Sequence, residues 1–411
     1  MVLFYIFPQY LKPAESSTAN YIYVDNIINK GIFTFNRLSE QRYDDSKNFL
    51  FVASLYFVVK TLHCSTYYAS IIISAISLFF SIFFLFRIVD SRFQRVNLLI
   101  VISLFLSTQL WLGLLGDEVL FNGLILILAI RSFWKHRYSW LLIWTVVNAM
   151  CNFYTLLYLL PLIIVSYRDV LDLKRRNRAK FLLARLRKTI IWFVIPFAAY
   201  CFYRKLYFGR ILPYHWHGNS FLNQDKDWFF YKSAVQTAIQ YLRFYLLPLV
   251  IGIVFYFIKE RKKINIRYYA LIVGLIIIPI IHQSTIIQDE DFGFKNYYPI
   301  YIALITITIL FIRDFRSLSQ EIALYIFILF FGWKTFKQSS IAAAQFGKSN
   351  LYSLATEIDT IKNGKMLVYY DNYFSWLAKE WEVEFLNNKH TTLPIKKYEA
   401  LDYTSAELIF R

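Results

Sequence analysis

The sequence predicts an all-α polytopic membrane protein of about ten transmembrane helices, with a small α/β extension at its carboxyl end. Three observations predict this class. Of the 411 residues, 57% are hydrophobic, 20% are aromatic and only 18% are charged, whereas about a quarter of a soluble domain is charged. The hydrophobic residues form runs near the length that a helix needs to cross a bilayer. The polar loops between the runs alternate between basic and acidic.

The apolar runs predict the individual spans. Full or nearly full spans are predicted at 65–88, 97–115, 119–130, 189–203, 240–258, 268–283, 297–312 and 321–333. Residues 1–10 are apolar but about half a span, and Phe49–Leu62 is predicted to be interfacial or partly inserted. As a single span, 139–167 would place the next basic loop on the wrong side. We therefore predict a hairpin of two short helices there, turning near 148–152.

Charge predicts the orientation. The loop 168–188 has nine Lys and Arg against two Asp, and the other basic loops fall on the same side of the predicted bundle. Basic loops are typical of the cytoplasmic face. The acidic loops then lie outside, and these are 12–48, Asp117-Glu118 and 289–291. The net charge of +18 is accounted for by anionic lipid, so a nucleic acid partner is not expected.

The chain is predicted to divide into a membrane domain, 1–336, and a small extracytoplasmic segment, 337–411, that contains the strand-like run MLVYY. The three cysteines of the whole chain form no disulfide or metal-binding pattern and are interpreted as small apolar residues that fill space in the core. The chain is rich in Lys, Asn, Ile, Tyr and Phe, as in bacteria of low GC content. The expected location is therefore a bacterial cytoplasmic membrane.

Carboxylates on the outer loops are the candidate catalytic groups. The first outer loop, 12–48, holds Glu15, Asp25, Glu40, Asp44 and Asp45. A solvated loop acid is the simpler interpretation for most of them. Three acidic loops, however, approach the ends of helices that must pack together, and a partly desolvated carboxylate there can act as a base.

The Asp117-Glu118 pair stands at a predicted helix start, where a carboxylate also stabilises the helix N-terminus. For this pair, a structural role and a catalytic role stay open.

The loop 203–219 places cations among aromatic side chains. It contains Arg204, Arg210, His215 and His217, and such donors suit a phosphate group. The alternative is an aromatic belt with snorkelling cations. The two histidines, one residue apart and without a third ligand nearby, are a weak signal for a metal.

Four stretches, in order, resemble membrane glycosyltransferases of the GT-C class, in particular the arabinofuranosyl- and mannosyltransferase-like group that uses polyprenyl-phosphate sugars. The first outer loop of that group has the form DDAYI-x-x-R-Y-A-x-N-x-x-x-G-x-G-x-x-x-N, and residues 15–36 read ESSTANYIYVDNIINKGIFTFN. Aligned on Asn26, Glu15 takes the place of the first Asp. Aligned on Tyr21, Thr18 takes that place instead.

The other three stretches match later motifs of the group. GDEVLF, at 116–121, corresponds to a Gly-x-Glu turn. YFGRILPYHWHGN, at 207–219, corresponds to Y-F-G-x-x-x-P-N-T-x-x-A-K and retains Tyr207, the following Phe-Gly and the proline. DFGFKNYYP, at 291–299, corresponds to D-x-x-x-x-R-x-x-x-P, with Asp291 and Lys295 at the charged positions.

The resemblance implies a GT-C-like bundle that transfers a sugar from a polyprenyl phosphate to a glycan or lipid acceptor at the outer face of the membrane, in cell-envelope polysaccharide biosynthesis. It implies Glu15 as the catalytic base, with Asp44 or Asp45 as substitute. Substrate-binding roles are implied for Asp117, Glu118, Arg204, Tyr207, Arg210, His215, His217, Asp291 and Lys295. The donor lipid is the only expected cosubstrate, no resident cofactor is expected, and a divalent metal stays open.

Two other functions stay open at this point. An O-antigen or capsule polymerase also works at the outer face, but usually with large Arg-rich loops, and 204–238 is only moderately basic. A lipid-linked sugar flippase or transporter would place charges in the middle of helices along a path. Here the acids collect at one face, which favours an enzyme.

Overall fold

A computed structural model describes residues 15–31, 33, 48–89, 113, 116–171, 175–209, 211, 266–285, 298–312, 366–369 and 383–386. In chain order the α-helices are α1 (Glu15–Lys30), α2 (Phe49–Leu62), α3 (Thr66–Val89), α4 (Val119–Trp134), α5 (Tyr138–Cys151), α6 (Thr155–Leu171), α7 (Arg175–Thr189), α8 (Ile195–Phe208), α9 (Ile266–Ile272), α10 (Ile278–Thr285) and α11 (Tyr298–Ile312). Two strands, β1 (Met366–Tyr369) and β2 (Val383–Leu386), pair in parallel.

Helix α3 is the described helix that is long and apolar enough to cross a membrane, over Thr66–Ile88. The other apolar helices have 10–17 residues. The predicted spans 240–258 and 321–333, and most of 97–115, lie outside the described residues. The strand predicted in MLVYY is present as β1.

The predicted hairpin between 139 and 167 is confirmed. Helix α5 ends at Cys151, and Asn152 has extended backbone angles (φ −154°, ψ 116°). Its side-chain oxygen accepts a hydrogen bond from the Tyr154 amide (3.0 Å), so the asparagine makes the local turn itself. Helix α6 then returns along α5.

Two stretches predicted as loops are helical instead. The first outer loop contains α1, whose residues Tyr21 to Asn26 are all buried. Its polar sequence lacks a clear apolar stripe, so the helix depends on tertiary packing. The basic loop 168–188 contains α7, because Lys and Arg are good helix formers. Helix α7 continues through a π-helical segment, Ile190–Val194, into α8.

The main hydrophobic core lies between α3, α4, α5, α6, α9 and α11, with the π-helical segment Val273–Ile277. Gly274 in that segment faces the backbone of Tyr158 in α6, where any larger side chain would collide. A second, smaller core joins α1, α2 and α3 through Tyr21, Phe51 and their neighbours.

One end of the bundle gathers the basic residues. Arg267, at the start of α9, donates to the carbonyl of Phe133 and lies 2.7 Å from His136 Nδ1. Arg185 of α7 stacks over the Tyr138 ring at 4.5 Å. The sequence predicts this end to be cytoplasmic.

The opposite end carries α1, the turn 116–118 and the hairpin turn at Asn152. Helix α2 begins and ends there, since Asn48 at its start bonds to α4 and Thr66 just beyond it bonds to α1. The prediction that Phe49–Leu62 is interfacial or partly inserted stays a prediction.

Candidate functional site

The site is built around the turn that leads into α4. The Gly116 amide donates to the Gly113 carbonyl (3.0 Å), and Gly116 has a φ of +86°, a region that favours glycine. Asp117 and Glu118 follow it and are 0% and 2% exposed. Two carboxylates are thus held out of water at the start of a helix.

Asp117 has the structural role that its position suggests. Its Oδ1 accepts a hydrogen bond from the Val119 amide (3.1 Å), one of the amides that a helix start leaves without a partner within the helix. Glu118 is different, because its backbone caps α4 while its side chain accepts a bond from a distant part of the chain.

Helix α1 supplies that distant partner. Asn20 Nδ2 donates to Glu118 Oε2 (2.8 Å) across 98 residues of sequence. The next residue, Tyr21, is fully buried; its hydroxyl lies 2.8 Å from Ser70 Oγ and donates to the Gly116 carbonyl (3.2 Å). Helix α1 therefore forms hydrogen bonds with both Gly116 and Glu118, the first and last residues of the turn.

Burial raises the pKa of the Tyr21 hydroxyl well above its ordinary value. The nearby Tyr67, Asp117 and Glu118 raise it further, and the hydrogen bond with Ser70 lowers it. Tyr21 is thus protonated at neutral pH and serves as a hydrogen-bond donor.

Asn48 and Asp25 extend the same polar layer. Asn48 Nδ2 donates to Asn122 Oδ1 (2.7 Å), while Asn48 Oδ1 caps α2 by accepting from the Phe51 amide (2.9 Å). Asp25, 7% exposed, accepts from the Thr66 hydroxyl (3.1 Å). Asp25 and Glu118 are buried carboxylates on different elements at one end of the bundle.

The end of α8 joins this layer through Tyr207, whose hydroxyl accepts a hydrogen bond from the Phe33 amide (2.9 Å). Arg204, one turn earlier, is 1% exposed and donates from Nε to the Ile211 carbonyl (2.8 Å). Its guanidinium lies over the rings of Tyr200 and Phe208, at 5.7 and 5.4 Å. Arg204 therefore holds Ile211 against the end of α8.

The structure brings several predicted residues together. Asp117 and Glu118 lie against α1, and Tyr207 bonds to the segment that follows α1. Glu15 is the first residue of α1. Seven predicted residues lie outside the described residues, and their roles stay predictions: Asp44, Asp45, Arg210, His215, His217, Asp291 and Lys295.

The sequence reasoning missed the amide and hydroxyl groups that connect the site. Asn48 precedes an apolar run and has the pattern of a helix N-cap, a signal that was available. Asn20 and Asn122 carry no local signal, because their partners lie far away in the sequence, and the motif that includes Tyr21 does not indicate the hydrogen bonds its hydroxyl makes.

Helix α11, which packs against α4, begins at this end. Tyr298, the first residue of α11, is 4% exposed. Its hydroxyl lies within electrostatic range of Cys151, Tyr158 and Glu118. The start of α11 therefore lies at the same end of the bundle as the carboxylate that Asn20 holds from α1.

The fold of this chain resembles that of ArnT, a GT-C glycosyltransferase. This rests on similarity to the crystal structure of ArnT from Cupriavidus metallidurans in the apo state, with a TM-score of 0.59. The match covers 94% of this chain and 84% of that chain at 9% sequence identity, so it shows the fold alone. No family model matches the sequence, and no curated protein matches it either.

Proposed function

We propose that the protein is a membrane glycosyltransferase that moves a sugar from a polyprenyl-phosphate donor to a glycan or lipid acceptor. We place the reaction at the outer face of a bacterial cytoplasmic membrane, in surface polysaccharide biosynthesis. One observation carries the proposal: in a fold similar to ArnT, the buried Glu118 carboxylate is held by Asn20 of α1, at the end opposite the basic residues.

This arrangement suits sugar transfer. In the reaction, an acceptor hydroxyl oxygen forms a bond to the sugar's anomeric carbon, and the bond from that carbon to the phosphate oxygen breaks. The acceptor proton passes to a carboxylate base, and the polyprenyl phosphate leaves with the electron pair. The leaving group is already an anion, so it needs cations more than a general acid.

The roles follow the predicted site. Glu15, at the start of α1, is the proposed base, with Asp44 or Asp45 as substitute. Arg210 and Lys295 are proposed to bind the phosphate, together with Arg204. Because Arg204 is already bonded to the Ile211 carbonyl, we assign it first to holding the chain at the end of α8. Glu118 is proposed to keep α1 in place and to face the substrate.

The test is transfer by purified protein from a panel of polyprenyl-phosphate sugars. Glu15→Gln is compared with Asp44→Asn/Asp45→Asn, and loss of the base is expected to reduce the rate by about 10²–10⁴-fold. Arg185→Gln, at the basic end, is the matched control and should keep its activity. Repeating the assay with EDTA tests whether a divalent cation takes part.

The outcomes separate the possibilities. If Glu15→Gln alone is inactive, the proposed base is supported. If the Asp double variant alone is inactive, the function stands and the base is in the second half of the first loop. If no donor is used and lipid-linked oligosaccharides are joined or moved across the bilayer instead, the protein is a polymerase or a flippase and the proposal is wrong.

A further inference from the structure

Helix α7 (Arg175–Thr189) leaves large apolar side chains uncovered. Leu183 is 70% exposed, Leu186 is 50% exposed and Phe181 is 49% exposed. Large apolar side chains that are exposed together mark a surface that contacts a membrane or another molecule. What α7 contacts follows from its position in the bundle and from the charged side chains beside these three.

The contacts of Thr189, the last residue of α7, fix that position. Its hydroxyl oxygen lies 2.9 Å from the Tyr138 hydroxyl and also bonds to the Tyr167 hydroxyl. Tyr138 is the first residue of α5, and Tyr167 lies one helical turn before the end of α6 at Leu171. If α7 ran back along α6, Thr189 would lie about 20 Å from that end. Helix α7 therefore lies at the basic end of the bundle instead of running beside α6.

The length of the helix that follows agrees with this position. Helix α7 continues through the π-helical segment into α8. The π-helical segment has five residues and α8 has fourteen, and together they approach the roughly 20 residues that a helix needs to cross a bilayer. With these residues in the bilayer core, α7 is left at the membrane surface.

Cations are exposed beside the apolar side chains of α7. Lys180, Arg187 and Lys188 are exposed, and at about 100° per residue Lys180 and Arg187 share one face of the helix. Leu182 and Leu186, four residues apart, share another face. Helices with Lys and Arg on one face and with Leu and Phe on another are typical of the membrane interface.

Charge and apolar surface together select the partner. The three cations attract a phosphate group, and the apolar side chains favour acyl chains over water. An anionic phospholipid offers both. A nucleic acid would neutralise the cations but would leave the leucines in water, and a second copy of this chain would bring cations against cations.

We propose that α7 is an interfacial helix that binds anionic phospholipid at the inner face of the membrane. Its lysines lie at the headgroup phosphates, and its leucines lie among the first acyl carbons. The lipid is the ligand and free phosphate is not, because only the lipid covers the leucines. This inference goes beyond the proposed function and does not depend on sugar transfer.

The test measures binding of phosphatidylglycerol, labelled in its acyl chain, to the full chain purified in a neutral detergent. Fluorescence anisotropy gives the Kd for wild type and for Lys180→Gln/Lys188→Gln. The matched control is Lys60→Gln/Lys205→Gln, which removes two exposed lysines outside α7. The α7 pair should raise the Kd by about 10–30-fold, and the control pair should leave it unchanged.

A second variant tests the apolar face. Leu183→Ser/Leu186→Ser keeps every cation and should raise the Kd by about tenfold, because two side chains no longer enter the lipid. Since both leucines are exposed, this variant should keep the thermal stability of wild type when no phosphatidylglycerol is added. That second measurement separates a loss of binding from a loss of folding.

Three results would overturn the proposal. One is an equal rise in Kd for the two lysine pairs, which would make binding a general effect of charge. Another is a wild-type Kd for the leucine variant, which would leave the helix outside the lipid. The third is displacement of the labelled lipid by inorganic phosphate, phosphatidylcholine or a DNA oligonucleotide as readily as by unlabelled phosphatidylglycerol.

Discussion

Replacing Gly116 with alanine tests whether α1 and the turn 116–118 form one unit. A Cβ at this position would lie 2.7 Å from Ser70 Oγ and closer still to the Tyr21 hydroxyl oxygen. The variant therefore has to shift the two side chains whose hydrogen bonds fasten α1.

The expected cost has two parts. A φ of +86° costs a residue with a Cβ about 1–2 kcal/mol. Displacing the Tyr21 hydroxyl loses its bonds to Ser70 and to the Gly116 carbonyl, about 0.5–1.5 kcal/mol each. Gly116→Ala should therefore lower the free energy of unfolding by about 2–5 kcal/mol, and transfer should fall because Asp117 and Glu118 move with the turn.

Tyr21→Phe separates the two parts. By itself, Tyr21→Phe should lower the free energy of unfolding by about 1–3 kcal/mol, because it removes the two hydrogen bonds of the hydroxyl. In the double variant those bonds are already absent, and the nearest ring carbon lies 3.2 Å from the new Cβ. The double variant should therefore be about as stable as Gly116→Ala alone.

Gly31→Ala is the matched control, since Gly31 has a φ of +68° and no heavy atom within 4 Å of an added Cβ. It should show only the backbone cost, about 1–2 kcal/mol. Stability is measured by SDS titration in mixed micelles. The reasoning is refuted if Gly116→Ala costs no more than Gly31→Ala, or if its cost and that of Tyr21→Phe add in full.

Three further perturbations examine the same layer. Asn48→Ala removes the cap of α2 and the bond to Asn122, and should lower the free energy of unfolding by about 1–3 kcal/mol; an unchanged unfolding midpoint in SDS would contradict this. Tyr207→Phe leaves the Phe33 amide without its acceptor and should increase proteolysis near residue 33, measured by mass spectrometry against wild type. Folding raises the pKa of Tyr21 above the ordinary tyrosine value of 10.0. The protonated Tyr21 hydroxyl therefore contributes fully to stability below pH 10, and this contribution is lost as the pH rises further. Above pH 10, wild type should therefore lose stability more steeply than Tyr21→Phe, and parallel pH profiles would refute this.

The amino-acid sequence was most informative where structure depends on neighbouring residues. Hydrophobic runs predicted helix α3, and the basic loop that follows residue 167 predicted the hairpin turning near 148–152, because a single span would have placed that loop on the wrong side. The strand at Met366–Tyr369 was predicted from its residue types. Helix α3 and the strand each form from one continuous stretch of residues, so the residue types of that stretch are enough to predict them.

The sequence was less informative where helices form by packing. Helix α1 was predicted as part of a loop, because its residues Glu15–Lys30 are mostly polar and the apolar ones form no clear stripe. In the structure its buried face makes hydrogen bonds as well as apolar contacts. A helix of this kind is stabilised by partners that the local sequence does not contain.

By itself, the sequence determined that the described chain is mainly helical and that it turns back in a hairpin near residues 148–152, since both follow from hydrophobicity and charge along the chain. Only the tertiary structure decided which polar groups meet. The bond between Asn20 and Glu118 spans 98 residues, and that between Phe33 and Tyr207 spans 174. Likewise, only the packed structure shows that the Tyr298 hydroxyl is buried without a hydrogen-bond partner among the described residues. Such pairings depend on how helices pack, because only packing removes water from a carboxylate and leaves particular donors within reach.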